Sequence, residues 1–536
     1  MNPTMIATTA ALCQPALVIA GPLLILAFGL FPDRLANLAG RSFARWAGGT
    51  AMLAFGFAIL ATSSLALDGP VSMGFELKGP FRVDFFFDQL SAVMLLLVSF
   101  LGAVVLHFSG NYLAGDPNQG RFIRWMCLTI GSVLMLTISG NFLMFTLAWM
   151  ATSLSLHQLL TFYRERPAAL LSARKKFLIS RLGDAALLGA LGACWHCFGT
   201  WEFSKIFTDT EIARAQAEHP TSLGLSAFLL VIGALLKSAQ FPFHSWLPDT
   251  MEAPTPVSAL MHAGIVNAGG FLVVRFSPLI TLSPTSLNAL ALIGAFTALF
   301  ASVVMLTQTS IKRSLAYSTI AQMGFMMLQC GLGAFALAIL HLVAHSLYKA
   351  HAFLSSGSIV AISRSAWVPK GCTSAPPMVL PLTLLTAVGL TLAIGSLFGS
   401  HLSEDSGLLL LGSIFIMALA HFLWNLWSSS HRTSLLVRGI TLIAATATAY
   451  FGLHVGFEAL LADTVATHQP NRTAAEFVVM GLIGLAFLGI LVMQSQLPHW
   501  SARPWGRKLY VHASHGFYLS TLFNRLTMAL FAKSSS

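Results

Sequence analysis

Apolar runs of about twenty residues recur along the whole chain, the length a helix needs to cross a bilayer. Only 9% of the 536 residues are charged and 56% are hydrophobic. A soluble chain carries about 25% charged residues, so no soluble fold accommodates this composition. The expected fold is all-α and polytopic. The runs read as about fifteen spans, centred near residues 22, 56, 99, 130, 151, 188, 231, 266, 296, 325, 348, 388, 417, 444 and 484. The first run, Gln14 to Phe31, has no basic residues before it and no small-residue cleavage site. It reads as a retained span, not a signal peptide.

The charges that remain report topology. A net charge of +11 would suggest nucleic acid as the partner of a soluble protein. Here the basic residues gather in alternate short loops: Arg34, Arg41 and Arg45; Arg121; Arg164 to Lys176; Lys312 and Arg313; Arg364 and Lys370; Arg432; then Arg503, Arg507 and Lys508. Acidic residues gather in the loops between: Asp68, Glu76, Asp84 and Asp88; Glu202, Asp209, Glu211 and Glu218; Glu404 and Asp405; Glu458 and Asp463. The excess of Lys and Arg in cytoplasmic loops places the first set inside. The N-terminus is then expected outside and the C-terminus in the cytoplasm. On the acidic side, Val71 to Asp88 alternates loosely and suits a small hairpin. The tail from Leu509 to Ala532 mixes apolar, histidine and arginine positions and suits a helix lying in the cytoplasmic interface.

Three polar constellations fall inside apolar runs. Arg181 and Asp184 are spaced i,i+3 and share a helix face, where each can neutralise the other. Lys237 sits about fifteen residues into the run from Leu223 to Gln240. An ammonium at the centre of a membrane helix costs roughly 2.5–3.5 kcal/mol on insertion scales, so it marks a functional position. Just beyond it come Pro242, His244, Pro248, Glu252, Pro254 and Pro256. So many prolines cannot continue a regular helix. Broken backbone at membrane depth is tolerated only against protein or a watery cavity, and transporters build ion sites there. His262 in the next span can relay protons to or from Lys237. Third, His341, His345 and Lys349 are four residues apart and share one stripe about 12 Å long. That stripe suits a proton wire. Arg181, Asp184, Lys237, Glu252, His262, His341, His345 and Lys349 form the expected proton-translocation set. Cys194-Trp-His-Cys197 has no second cysteine pair, and the six cysteines are scattered, so they read as core residues. No metal, cofactor or catalytic site is expected in the chain.

The segments Leu-Leu-Lys237-Ser-Ala-Gln-Phe-Pro, Ala-Pro-Thr-Pro256-Val-Ser-Ala-Leu-Met-His262, Ile311-Lys-Arg-Ser-Leu-Ala-Tyr-Ser-Thr-Ile-Ala-Gln-Met-Gly324 and His341-Leu-Val-Ala-His345-Ser-Leu-Tyr-Lys349 carry a resemblance. It is to the antiporter-like proton channels, which include subunit L of bacterial respiratory complex I and the large subunit of Mrp antiporters. The resemblance runs over most of residues 80–400. It implies two inverted five-helix repeats, at 121–279 and 286–427. Around them lie N-terminal helices (1–120), C-terminal helices (428–495) and a cytoplasmic amphipathic tail (496–536). It assigns proton-carrier roles to Lys237 and Lys349, and relay roles to His262, His341 and His345.

Departures from the family narrow the expectation. Met150 stands where the family has a glutamate, and no lysine occurs between Lys370 and Lys508, so the distal exit lysine is absent. With the sequence ending at Ser536, the long lateral helix of subunit L is not expected. The stretch His157 to Asp184 is similar to a specialised branch, the DabB-type membrane subunits of DAB inorganic carbon pumps. That resemblance implies a bacterial inner-membrane subunit that lets protons or sodium ions run inward. It implies a cytoplasmic DabA-like partner of zinc β-carbonic-anhydrase type, in which CO2 is hydrated to bicarbonate. Two other functions stay open: an ion-translocating subunit of a complex-I-like or Mrp-type assembly, and a non-conducting membrane scaffold.

Overall fold

The computed structural model describes residues 3–76, 82–357, 379–399, 406–429, 433–466, 472–501 and 503–532. The loop charges Arg364, Lys370, Glu404, Asp405 and Arg432, and Cys372, lie outside the described residues. Among the described residues, fifteen long helices follow one another: α1 (Pro3–Gly29), α2 (Asp33–Asp68), α3 (Gln89–Tyr112), α4 (Gln119–Thr137), α5 (Phe142–Leu160), α6 (Pro167–Phe198), α7 (Pro220–Lys237), α8 (Thr255–Arg275), α9 (Pro284–Met305), α10 (Ile311–Gly331), α11 (Phe335–Leu354), α12 (Val379–Leu397), α13 (Ser406–Ser429), α14 (Thr433–Leu461) and α15 (Ala474–Ser501). Each expected span centre falls within one of them. Among the described residues, twelve are long and apolar enough to cross a membrane, and α1, α4 and α10 stand outside that group. Helices α4 and α10 miss because polar residues dilute them: Arg121 and Arg124 in one, Lys312, Arg313, Gln322 and Gln329 in the other.

The expected hairpin is present. Strand β1 (Val71–Glu76) pairs antiparallel with β2 (Arg82–Phe87), Val71 opposite Phe87 and Glu76 opposite Arg82. It closes over the turn between α4 and α5, where Gly140 N–H donates to the Asp84 carbonyl. A Cβ at Gly140 would meet the backbone of Asp84 and Phe85 at 2.6–2.7 Å, so only glycine fits. Asn141 ties both parts: its side chain caps α5 by accepting from Met144 N–H, and its amide donates to Asp84 Oδ2 at 2.9 Å.

Close packing in a membrane relies on small residues. Between α9 and α10 the backbones approach so closely that a Cβ at Gly324 would lie 2.6 Å from the Ala298 nitrogen. Asp88 caps α3 by accepting from Ser91 N–H at 2.8 Å. The same carboxylate holds Arg275 at the end of α8 at 2.5 and 3.0 Å, and both side chains are buried.

The tail differs from a single interfacial helix. It folds as α16 (Pro504–Ser514) and α17 (Leu519–Ala532), joined by a turn in which Gly516, Phe517 and Tyr518 all have left-handed backbone, φ between +51° and +63°. The turn brings α17 back onto the bundle, where Phe523 meets Phe243, Arg174 lies over the Phe531 ring and Ser520 donates to Asp249.

Candidate functional site

Helix α7 stops at Lys237. Ala239 takes a left-handed backbone (φ +50°), and Pro242 has no N–H to continue the helix. The freed groups find partners in neighbouring helices: Ser238 Oγ donates to the Val266 carbonyl at 2.8 Å, and Phe241 N–H to Thr297 Oγ1 at 3.1 Å. After this break come a short 3₁₀ turn (Phe243–Ser245), one turn of α-helix (Trp246–Asp249) and a second 3₁₀ turn (Thr250–Glu252) before α8 begins. Irregular backbone at membrane depth is thus satisfied by protein, as it must be.

Lys237 is buried. Its Nζ lies 4.3 Å from the centroid of the Trp149 ring and has no hydrogen-bonding partner among the described residues. The aromatic face offers the ammonium a quadrupole contact. Met150, next to Trp149 in sequence, is partly buried. The carboxylate comes from α6: Asp184, buried and within electrostatic range of Lys237. Arg181 Nη2 is 2.7 Å from Asp184 Oδ2 without the alignment of a hydrogen bond, so the pair is a charge contact. The structure therefore merges two constellations that looked separate in sequence. It also adds Lys176, which in sequence is one more charge of a basic loop. Lys176 is buried, with Nζ donating to the carbonyl (2.7 Å) and hydroxyl (3.0 Å) of Ser153. Three cations thus surround one carboxylate, and charge balance in the cluster depends on its protonation.

A second cluster lies on α11. His341, His345 and Lys349 share a face as expected, the histidine rings 6.1 Å apart. His341 bridges two glutamines of α10, Nδ1 to Gln329 Oε1 at 2.8 Å and Nε2 to Gln322 Oε1 at 2.7 Å. Lys349 is fully buried and donates to the Leu315 carbonyl at 3.1 Å. His345 Nε2 is buried, with no hydrogen-bonding partner among the described residues.

His262 belongs with this second cluster, contrary to the expected pairing with Lys237. It interacts electrostatically with Lys349 and His345 and stacks on Phe353 of α11 at 4.4 Å. It sits in a single π-helical turn, Met261–Ile265, that interrupts α8. Such π turns occur frequently at functional sites, and no sequence pattern announces this one. Neither ring nitrogen has a hydrogen-bonding partner among the described residues. Buried polar groups are normally bonded to protein or ordered water, so these orphaned nitrogens suit water-mediated proton exchange. Asn267, one turn further on, donates to Ser346 Oγ at 2.7 Å and fixes α8 against α11.

Glu252 is not brought to either cluster. Its side chain is half-exposed and 3.8 Å from Arg166. The group at this end is Asp249, which takes Lys175 Nζ at 2.5 Å and Ser520 Oγ at 2.7 Å, with Arg313 at 3.7 Å. His244, buried in the broken segment, lies within electrostatic range of Lys175 and Asp249. Cys194 contacts Ser226 Oγ at 3.1 Å, and His196 packs on His219.

A polytopic helical bundle with a broken helix and two buried lysine clusters defines the class: an antiporter-like membrane subunit. Residues 139–368 match the family model "NADH:quinone oxidoreductase/Mrp antiporter, TM", and residues 78–123 match "NADH-Ubiquinone oxidoreductase (complex I), chain 5 N-terminus". The chain belongs to the DabB family of inorganic carbon transporter subunits within that class. It is 41% identical over 518 residues to "Probable inorganic carbon transporter subunit DabB2" of Halothiobacillus neapolitanus, covering 95% of this chain and 93% of that one. It is 35% identical over 447 residues to "Probable inorganic carbon transporter subunit DabB" of Hydrogenovibrio crunogenus, covering 83% of each. NADH-quinone oxidoreductase subunit L of Mycobacterium tuberculosis is 36% identical over 357 residues, 64% of this chain and 54% of that one. Among solved structures, the Mrp complex of Dietzia sp. shares the fold with a TM-score of 0.60 at 24% identity, over 96% of this chain and 56% of that one.

Proposed function

We propose that this protein is the proton-translocating membrane subunit of an energy-coupled inorganic carbon pump. Protons run inward through it and drive CO2 hydration in a cytoplasmic DabA-like zinc partner of β-carbonic-anhydrase type. The observation that carries the proposal is the pair of buried clusters, Lys176–Arg181–Asp184–Lys237 and His262–His341–His345–Lys349. Keeping so many ionisable groups in a membrane interior is costly, and such groups mark proton relays. His262 belongs to the first five-helix block by sequence yet sits with the second cluster, which makes it the bridge between the two. We read the blocks at 121–279 and 286–427 as the inverted halves of the fold, and the basic ends of the helices as cytoplasmic.

Lys237→Ala tests this. Cells carrying the variant with the partner should accumulate no bicarbonate above the level of cells lacking the pump, while the variant remains in the membrane fraction. Uptake at the wild-type level would overturn the carrier role of Lys237. The alternative, an ion-translocating subunit of an Mrp-type or complex-I-like assembly, is supported by the similarity to subunit L. It predicts ion flux with no dependence on a carbonic-anhydrase-like partner.

A further inference from the structure

On helices that carry neither cluster, α2 and α3 enclose a groove of about 500 Å³. Helix α2 bends at Gly40 (φ +31°, ψ −101°), and just past the bend Arg41 and Arg45 project on one stripe. His107 and Asn111 of α3 face them across the groove, and no carboxylate lines it. Both arginines are exposed, and neither has an ion-pair or hydrogen-bonding partner among the described residues. Gly48 and Gly49 continue the same stripe. A glycine inside a helix costs about 0.8–1.0 kcal/mol relative to alanine. Neither is required by close packing, since an added Cβ would meet nothing within 4 Å at either position. What the two glycines do is keep the groove open.

The groove runs along α2 to Met52, eleven residues below Arg41 or roughly 16 Å at 1.5 Å per residue. Beyond it the outer face of α2 exposes Met52, Leu53 and Leu60, each more than half accessible. Large apolar side chains exposed on a spanning helix face lipid chains. A cationic head above an open apolar channel matches a molecule with a phosphate at one end and acyl chains at the other. Basic pockets between transmembrane helices on the cytoplasmic side recognise such head groups. We propose that this groove binds the phosphate of an anionic phospholipid, held by Arg41 and Arg45 with His107 and Asn111 as further polar contacts, its acyl chain lying over Gly48 and Gly49.

The test uses the full chain, delipidated in neutral detergent and titrated with phosphatidylglycerol, with diacylglycerol of the same acyl chains and with inorganic phosphate. Native mass spectrometry counts bound lipid, and thermal unfolding checks that each variant is folded. Phosphatidylglycerol should bind and diacylglycerol should not. Removing both charges in R41Q/R45Q should weaken binding roughly thirtyfold. Gly48→Leu, which fills the groove and keeps the charges, should also weaken it, whereas Arg34→Gln, outside the groove, should not. Wild-type affinity in R41Q/R45Q, or an equal loss in Arg34→Gln, would overturn the site. Competition by inorganic phosphate at equal affinity would overturn the lipid as occupant in favour of a free anion.

Discussion

Trp149 and Asp184 both face Lys237, and methionine stands at position 150. The ring supplies a contact without a negative charge, and Asp184 supplies the charge from another helix. The stripe on α11 is coupled more tightly still, because His341 and His345 are neighbours and His341 is held by two glutamines. Alanine at either histidine should impair bicarbonate uptake. The double change should cost less than the sum, by about 0.5–3 kcal/mol of coupling expressed as a ratio of rates. Strict additivity in an uptake double-mutant cycle would show separate packing roles. Arg275 poses the opposite case, a buried pair with a structural role. Replacing it by methionine leaves Asp88 buried and uncompensated, which should destabilise the protein by about 3–5 kcal/mol. Asp88→Leu with Arg275→Met should restore much of that loss, measured by thermal unfolding in detergent.

At the scale of elements, much was legible because it is local. The period of the apolar runs placed the helices, four-residue spacing placed His341, His345 and Lys349 on one face, and clustered prolines marked the break after Lys237. What was missed needs the third dimension. Lys176 lies next to Lys175 in a run of basic residues, and only the packing of α5 on α6 turns one inward to Ser153 and the other toward Asp249. Nearness in sequence suggests pairing His262 with Lys237, whereas the π turn in α8 directs it to α11. The tail read as one amphipathic helix because its apolar positions continue through Gly516, where the backbone in fact reverses. Its anchor is then Asp249, which joins α6 to α17 through Lys175 and Ser520. Asp249→Asn removes the charge from that junction, and hydrogen bonds to charged groups contribute about 1.5–3 kcal/mol. Limited proteolysis should cut α17 at least tenfold faster in the variant, a rise that Ser520→Ala should reproduce only in part. An unchanged rate would mean that the tail is held by its apolar contacts alone.

For the whole molecule, the proposed function requires that a bundle of helices couple ion flow to carbon chemistry. A charge crossing about 150 mV releases roughly 3.5 kcal/mol, from 2.3 kcal/mol per 100 mV, and a tenfold bias costs about 1.4 kcal/mol. One proton per turnover can therefore sustain a bias of a few hundredfold in bicarbonate. On the proposed function the buried groups act as proton carriers and relays, and the hydration chemistry would then belong to a second protein seated at the cytoplasmic end of the proton path. The end that meets this requirement has Lys175, Asp249 and Arg313 beside a tail whose outer face exposes Tyr510, Leu522, Leu526 and Leu530. A partner docked there would sense each protonation step through Asp249. Deleting residues 509–536 should then release the partner from membranes while the spans remain inserted, as read by fractionation of both proteins. Purified chain alone, reconstituted in vesicles under an inward proton gradient, should accumulate no bicarbonate, and adding the partner should restore accumulation. Accumulation by the chain alone would mean that the membrane subunit carries bicarbonate itself, and the two-part pump would be wrong.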